Sequence, residues 1–296
     1  MGKTFQELDL SNAFLFSAAL EDSETCQLVL EIILGCKLPK VKVHAEHTIL
    51  ISPELRSVRL DIYANDEMQV NYNLEAQNEN EGNLAKRSRY YQAEMDVSSL
   101  KPGENFNELK PGYVVFICTF DPFGKKLYRY TFEERCLECD FPLGDETKKI
   151  FLSTRGENAR DVPKELVHFL EYMEDTTDEY VATVKEDDSI MRLHNKITEL
   201  KKWRNLEARY MTFEELLEIR EKKGRAEGKA EGRAEGKAEG RTQERIEVIL
   251  EFLQEQGAVP EELRERITAQ QDIQVLKKWS KLAAVVTSVE EFAEKM

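Results

Sequence analysis

The sequence predicts an α/β chain: a sheet with helices against it, followed by an extended α-helical C-terminal part. Three observations carry this. Residues 58–64 and 70–77 alternate apolar and polar side chains, the period of a strand with one buried face. Val114-Val115-Phe116-Ile117-Cys118, within Tyr113 to Phe120, is a nearly continuous β-branched and apolar run, as a central strand covered on both faces would be. From about residue 158 onward the apolar residues recur at helical spacing.

In chain order, residues 5–36 read as helix, with Leu8, Phe14, Leu15, Ala18, Ala19, Leu28, Ile32 and Ile33 at helical spacing, and Gly35 as the stop. Residues 41–51 favour a strand. Residues 84–100 read as helix, with Leu84, Ser88, Tyr91 and Met95 on one stripe, ended by Lys101-Pro102-Gly103. Leu127 to Phe132 and Lys149 to Leu152 are weaker strands. Two helical stripes follow: Leu166, Phe169, Leu170 and Met173, then Ile190, Leu193, Ile197, Leu200 and Trp203. The last block, 242–296, is amphipathic helix broken at Gly257 to Pro260. The domain division expected from these shifts is 1–157 for the α/β core, 158–223 for a helical extension, 224–241 for a glycine and charge repeat, and 242–296 for a small helical domain.

The two alternating strands can be phased. Val58, Leu60, Ile62 and Ala64 share a face with Val70, Tyr72, Leu74 and Ala76, provided the hairpin loop has three residues. A loop of Asp66 to Met68 pairs Asp61 with Asn73. It gathers Asp61, Glu75 and Gln77 on the opposite, polar face. Such a face is either solvated surface or a site. Asn71 and Asn73, poor strand formers, argue for the site.

Length, 296 residues, suits about two domains. No run approaches the ~20 apolar residues of a membrane span, and the start lacks a secretion signal. A cytoplasmic protein with no membrane contact is expected. The five cysteines, Cys26, Cys36, Cys118, Cys136 and Cys139, are odd in number, which argues against a disulfide framework. Cys136 and Cys139 make one CxxC; a structural zinc site needs four ligands, and no second CxxC exists. The formal net charge of −15 excludes a protein that coats nucleic acid by bulk electrostatics. It allows an enzyme that holds a metal cation and touches DNA locally. Lys86, Arg87 and Arg89 form a basic cluster just after the carboxylates, suited either to phosphate contact or to a solvated helix face.

Asp61 and Glu75 on neighbouring strands can meet the needs of magnesium, which takes one or two carboxylates plus waters and substrate oxygens. Such an ion stabilises phosphoryl charge and supplies hydroxide for phosphodiester hydrolysis. Gln77, on the same side as Glu75, can orient a water but cannot act as a cation.

Leu60-Asp61-Ile62-Tyr63-Ala64-Asn65-Asp66-Glu67, Tyr72-Asn73-Leu74-Glu75-Ala76-Gln77 and Arg87-Ser88-Arg89-Tyr90-Tyr91-Gln92 together resemble the core of the PD-(D/E)XK nuclease family transposases, also called recombination-promoting nucleases. The opening Asp9 to Phe16, the turn Leu100 to Glu104 and the strand Gly112 to Asp121 are similar too, so the resemblance spans about residues 5–220. It implies a restriction-endonuclease-like mixed sheet flanked by helices. It implies Asp61 and Glu75 as metal-binding acids, with the Ala76 carbonyl facing the metal. The superfamily pattern has lysine where this chain has Gln77. Glu24 or Glu31 could add a carboxylate, or be solvated helix residues. Tyr91 is read as core packing. Residues 257–292 resemble a small helical domain found at the C-terminus of such proteins.

The tract Gly224 to Arg241 repeats basic-Ala-Glu-Gly every four residues. In a helix Arg225, Lys229, Arg233, Lys237 and Arg241 would form one stripe and Glu227, Glu231, Glu235 and Glu239 another. With each glycine costing about 1 kcal/mol, an isolated helix is poorly supported. The alternatives are a flexible linker and a helix that pairs with a second copy.

The expected function is a magnesium-dependent DNA endonuclease acting in recombination or mobile-element activity. Manganese is the alternative ion, and DNA the partner, with a homo-oligomer through the helical part. Asp61, Glu75 and Gln77 would carry catalysis, Asp61, Glu75 and Ala76 the metal, and Lys86, Arg87 and Arg89 the nucleic acid. RNA is an alternative substrate. The alternative function is a catalytically degenerate nuclease fold serving as a binding or assembly scaffold.

Overall fold

Asn12 and Asp22 divide what periodicity reads as one N-terminal helix. The computed structural model describes residues 3–44, 48–49, 58–59 and 62–296. After a single 3-10 turn at Phe5–Glu7, the Asn12 side chain accepts from the backbone N–H of Phe14 and Leu15 and opens α1 (Ala13–Leu20). Asp22 accepts from Thr25 N–H and opens α2 (Ser23–Leu34). Both are residues whose side chains compete for free helix-terminal N–H groups, so the chain restarts there. Gly35 ends α2 at φ +71° and donates to the Glu31 carbonyl, a left-handed cap that suits glycine.

The strand expected over 41–51 is instead β1 (Val41–His44) and β2 (Thr48–Ile49), and β2 pairs with β3 (Val58–Arg59) in a separate two-stranded sheet. Asp61 lies outside the described residues. The main sheet continues with β4 (Ile62–Asp66), β5 (Asn71–Gln77), β6 (Gly112–Cys118), β7 (Arg129–Phe132) and β8 (Thr147–Ser153). Its order is β1-β4-β5-β6-β8-β7. β5, β6 and β8 run parallel, and β1, β4 and β7 join antiparallel. The sheet is thus mixed, with the run Val114 to Cys118 in a central strand.

The β4–β5 register differs from the expected one by two residues. Tyr63 faces Asn73, not Asn71. Asp66 closes the turn: its Oδ1 accepts from Val70 N–H at 3.0 Å, its carbonyl accepts from Gln69 N–H, and Gln69 takes φ +64°. The loop is therefore residues 67–69, a three-residue loop with a left-handed last position. An even shift preserves the faces, so Ile62 and Ala64 share a face with Tyr72, Leu74 and Ala76 as read. Of the strand expected over 58–64, Val58 and Arg59 belong instead to β3 in the other sheet, and Leu60, like Asp61, lies outside the described residues.

Helices cover both faces. Ile62, Ala64, Tyr72, Leu74, Ala76, Val115, Ile117, Ile150 and Leu152 pack with α1, α2 and the helices α4 (Lys164–Glu174) and α6 (Asp188–Lys201). Short α5 (Asp178–Thr183) adds Val181 to that layer. On the other face Tyr63, Val114, Phe116, Cys118 and Phe151 pack with Leu84, Tyr91 and Met95 of α3 (Leu84–Ser99). The expected stripes on α3 and α4 are buried. On the α6 stripe Trp203 is the exception, 64 % exposed just past the helix end.

α7 (Arg204–Gln256) is one helix of 53 residues and includes the whole glycine and charge tract. The chain divides into two compact units, Met1–Met211 and Thr212–Met296. In the second, Ile249 and Leu253 of α7 form a core with Ile267 of α8 (Glu261–Thr268), Leu276 of α9 (Ile273–Ala283) and Phe292 of α10 (Val289–Lys295). Among the described residues no helix is long and apolar enough to cross a membrane.

Candidate active site

Strand alternation on β5 sends Tyr72, Leu74 and Ala76 to the α1–α2 side and Asn71, Asn73 and Glu75 to the α3 side. The polar face, which the sequence left open as solvated surface or site, is covered: Asn73 is fully buried and Glu75 is 4 % exposed. A carboxylate taken out of water to this degree requires partners. Arg87, on the first turns of α3, supplies them.

Arg87 sits one helical turn before Tyr91, and both point at Glu75. Its Nη2 donates to Glu75 Oε1 in an ion pair and to the Tyr91 hydroxyl at 3.0 Å. Its Nη1 donates to Gln77 Oε1 at 2.9 Å, and its Nε to the Tyr91 hydroxyl at 3.3 Å. The guanidinium carbon also lies 5.6 Å from the ring centres of Tyr91 and Phe116, within cation–π range. The fork spreads its donors over three nitrogens and so reaches three separated acceptors, whereas the three donors of an ammonium radiate from a single nitrogen.

These contacts fix the orientation of Gln77. Because Arg87 only donates, the amide oxygen must face it, which turns Nε2 the other way. That Nε2 donates to Glu75 Oε1 at 2.9 Å and to the Ala76 carbonyl at 2.9 Å. A carboxylate oxygen and a backbone oxygen thus converge on one amide N–H donor group. Asn73 Oδ1, buried on the same face, has no hydrogen-bond partner among the described residues. Oxygen donors of this kind suit a hard divalent cation such as magnesium or manganese. Among the described residues no group of three or more histidine, cysteine, aspartate and glutamate side chains is placed to hold a metal ion.

Electrostatics assign protonation states. Burial works to lower the Arg87 pKa, but Glu75 and the Tyr91 hydroxyl outweigh it, and the value is raised. Burial, reinforced by Glu75, pushes the Tyr91 phenol up to about 12, against the opposing pull of Arg87. The same two causes push the neighbouring Cys118 thiol up to about 12. Near neutral pH Arg87 is a cation, while Tyr91 and Cys118 are neutral, so none of the three serves as a base.

The structure does not bring the other candidate residues to Glu75. Glu31 binds Lys37, Gln27 and Leu38 N–H, and Glu24 pairs with Lys196, both on α2 against the opposite sheet face. Lys86 and Arg89 are exposed on α3, whereas Arg87 turns inward. Tyr91 is core, as read, but its hydroxyl also belongs to the Glu75 network. The helical stripe Leu84, Ser88, Tyr91 already held the signal for Arg87, four residues from Tyr91. Asn73 gave its signal as a poor strand former inside a strand.

A family described as PD-(D/E)XK nuclease family transposase matches residues 13–222, more than half of the chain. No curated protein and no solved structure matches significantly. The mixed six-stranded sheet with helices on both faces is consistent with the PD-(D/E)XK fold. On that match and that sheet, the chain belongs to the PD-(D/E)XK nuclease family transposases.

Proposed function

We propose that the chain is a divalent-metal-dependent DNA endonuclease, using magnesium or manganese, that hydrolyses phosphodiester bonds in recombination or mobile-element activity. The observation that carries this is the convergence of Glu75 Oε1 and the Ala76 carbonyl on the single Gln77 nitrogen, beside a half-buried arginine. Asp61, whose place rests on the strand alternation alone, is the second carboxylate. Asp61, Glu75 and the Ala76 carbonyl would hold the ion, which when bound neutralises phosphoryl charge and lowers the pKa of a bound water.

The chain's own groups have separate tasks. Arg87 supplies the ion-pair partner of Glu75 in a buried place and fixes the rotamers of Glu75 and Gln77. Gln77 orients a water by hydrogen bonding and takes no proton. Lys86 and Arg89 contact backbone phosphate, since their exposure leaves them free to reach outward. Arg87, expected from sequence as a third phosphate contact, is assigned instead to positioning.

Purified protein should nick or linearise plasmid DNA with magnesium or manganese and not with a chelator. Absence of cleavage with either ion, on duplex and single-stranded DNA alike, would move the function to a scaffold. Cleavage confined to RNA would change the substrate and keep the site.

Replacing both Lys86 and Arg89 by alanine should weaken DNA binding uniformly across sequences. Each lost phosphate contact should reduce the slope of log affinity against log salt by about one. An unchanged salt slope in a binding titration would remove these residues from the interface.

The helical state of residues 224–241 favours self-association over a flexible linker. Gly224, Gly228, Gly232, Gly236 and Gly240 each have nothing within 4 Å of where a Cβ would sit, so a second helix could approach the backbone closely. A four-residue repeat advances by about 40° per repeat on a helix of 3.6 residues per turn, so the stripes wind right-handed. A second copy crossing right-handed would set basic stripe against acidic stripe. Deleting residues 224–241 removes about five whole turns and keeps the helical phase. Analytical ultracentrifugation should show a dimer for the full chain and a monomer for the deletion; identical masses would exclude the pairing.

A further inference from the structure

The chain between β7 and β8 leaves the sheet edge as a solvent-exposed arm. Residues 131–146 are all exposed except Cys136, which is half-buried. Arg135 bridges Pro142, Cys136 N–H donates to the Phe141 carbonyl, and Leu143 N–H donates to the Glu134 carbonyl. At the tip Asp140 takes φ +48° and its N–H donates to the Cys136 carbonyl at 2.9 Å, closing a one-turn loop. The Arg135 side chain, bonded to Glu133 and to Asp140, ties the two sides of the arm together.

This turn sets Cys136 Sγ and Cys139 Sγ 3.2 Å apart. The Cys136 thiol also reaches Glu138 Oε2 at 3.2 Å. The other thiols differ. Cys26 and Cys118 are buried, which pushes both up to about 12, and Cys36 is exposed without a cysteine partner. Only the arm combines access for a reagent with a second sulfur in contact.

We propose that Cys136 and Cys139 are a dithiol modification site for small-molecule disulfides. One cysteine, as thiolate, attacks a sulfur of the disulfide RSSR, forming a mixed disulfide and releasing RS⁻, which takes up the proton the thiol lost. The second cysteine then attacks the protein sulfur of the mixed disulfide, closing Cys136–Cys139 and releasing a second RSH. Two electrons pass from the dithiol to RSSR, and two RSH result. Glu133, Glu134, Glu138 and Asp140 line the arm, so they repel anionic reagents. The preformed sulfur contact makes the second step intramolecular and fast relative to capture by another molecule. Uncharged disulfides are therefore the favoured class. Closure locks the tip that carries Leu137 and Phe141, both exposed apolar side chains.

The probe is bis(2-hydroxyethyl) disulfide, incubated with the full chain, followed by alkylation of free thiols and peptide mass spectrometry. The expected result is loss of both Cys136 and Cys139 to alkylation, with one intramolecular disulfide between them, while Cys36 carries a mercaptoethanol adduct. Cys136→Ser should leave Cys139 as the adduct, because the resolving thiol is gone. Mercaptoethanol adducts persisting on both Cys136 and Cys139 of the unmodified sequence would overturn the proposal. So would both thiols remaining alkylatable under conditions that convert Cys36. The outcome does not depend on whether the chain cleaves DNA.

Discussion

Arg87→Ala is expected to lower stability by about 3 kcal/mol and to abolish metal-dependent cleavage. The substitution removes Arg87 from its ion pair with Glu75, which is 4 % exposed, and breaking a buried pair from one side costs several kcal/mol. It also strips the guanidinium from the faces of Tyr91 and Phe116 and frees Gln77 Oε1. Arg87→Lys keeps a charge but gathers its donors on one nitrogen, without the spread by which Nε, Nη1 and Nη2 reach Glu75, Gln77 and Tyr91, so it should fall between alanine and the native residue. Urea denaturation of the three proteins measures this. An alanine variant as stable as the native chain would show that the Glu75 network is not held by Arg87.

Glu75→Gln is expected to reduce cleavage by roughly 10³-fold, since several kcal/mol of metal-borne charge stabilisation would be lost with the ligand. The exchange preserves volume and the strand, so the protein should remain folded. Its cost to stability should be smaller than that of Arg87→Ala, because the guanidinium left behind is a quarter exposed and can be partly hydrated. Initial rates of plasmid nicking at saturating magnesium give the comparison. A variant retaining native rates would mean that Glu75 serves folding alone.

The faces of β4 and β5 were legible in the sequence because side chains alternate with a period of two, and Tyr72, Leu74 and Ala76 leave no doubt about which set is apolar. The register was not. The polar stretch from Asn65 to Gln69 admits turns displaced by one residue, which shifts the pairing by two without moving any side chain to the other face. The choice falls to Asp66, whose side chain binds Val70 N–H. The N-terminal helix break was hidden for a similar reason: Asn12 and Asp22 are tolerated within a helix, and only their capping bonds mark them as starts. At the site, Glu75 and Gln77 are legible as a pair on one face, whereas the burial of Glu75 is not. That burial arises from α3 packing over it, a contact between segments no local pattern encodes. Lys86, Arg87 and Arg89 look alike as a basic cluster. Helical phase separates them, since Arg87 shares the face of Tyr91 and the other two do not.

Asp61 and Glu75 are proposed to hold one divalent cation. Manganese titration followed by electron paramagnetic resonance, on the native chain beside Asp61→Ala and Glu75→Gln, reads this out. One bound ion in the native protein and its loss in both folded variants is the expected result. Equal binding in all three, or none in the native protein, would rule the site out.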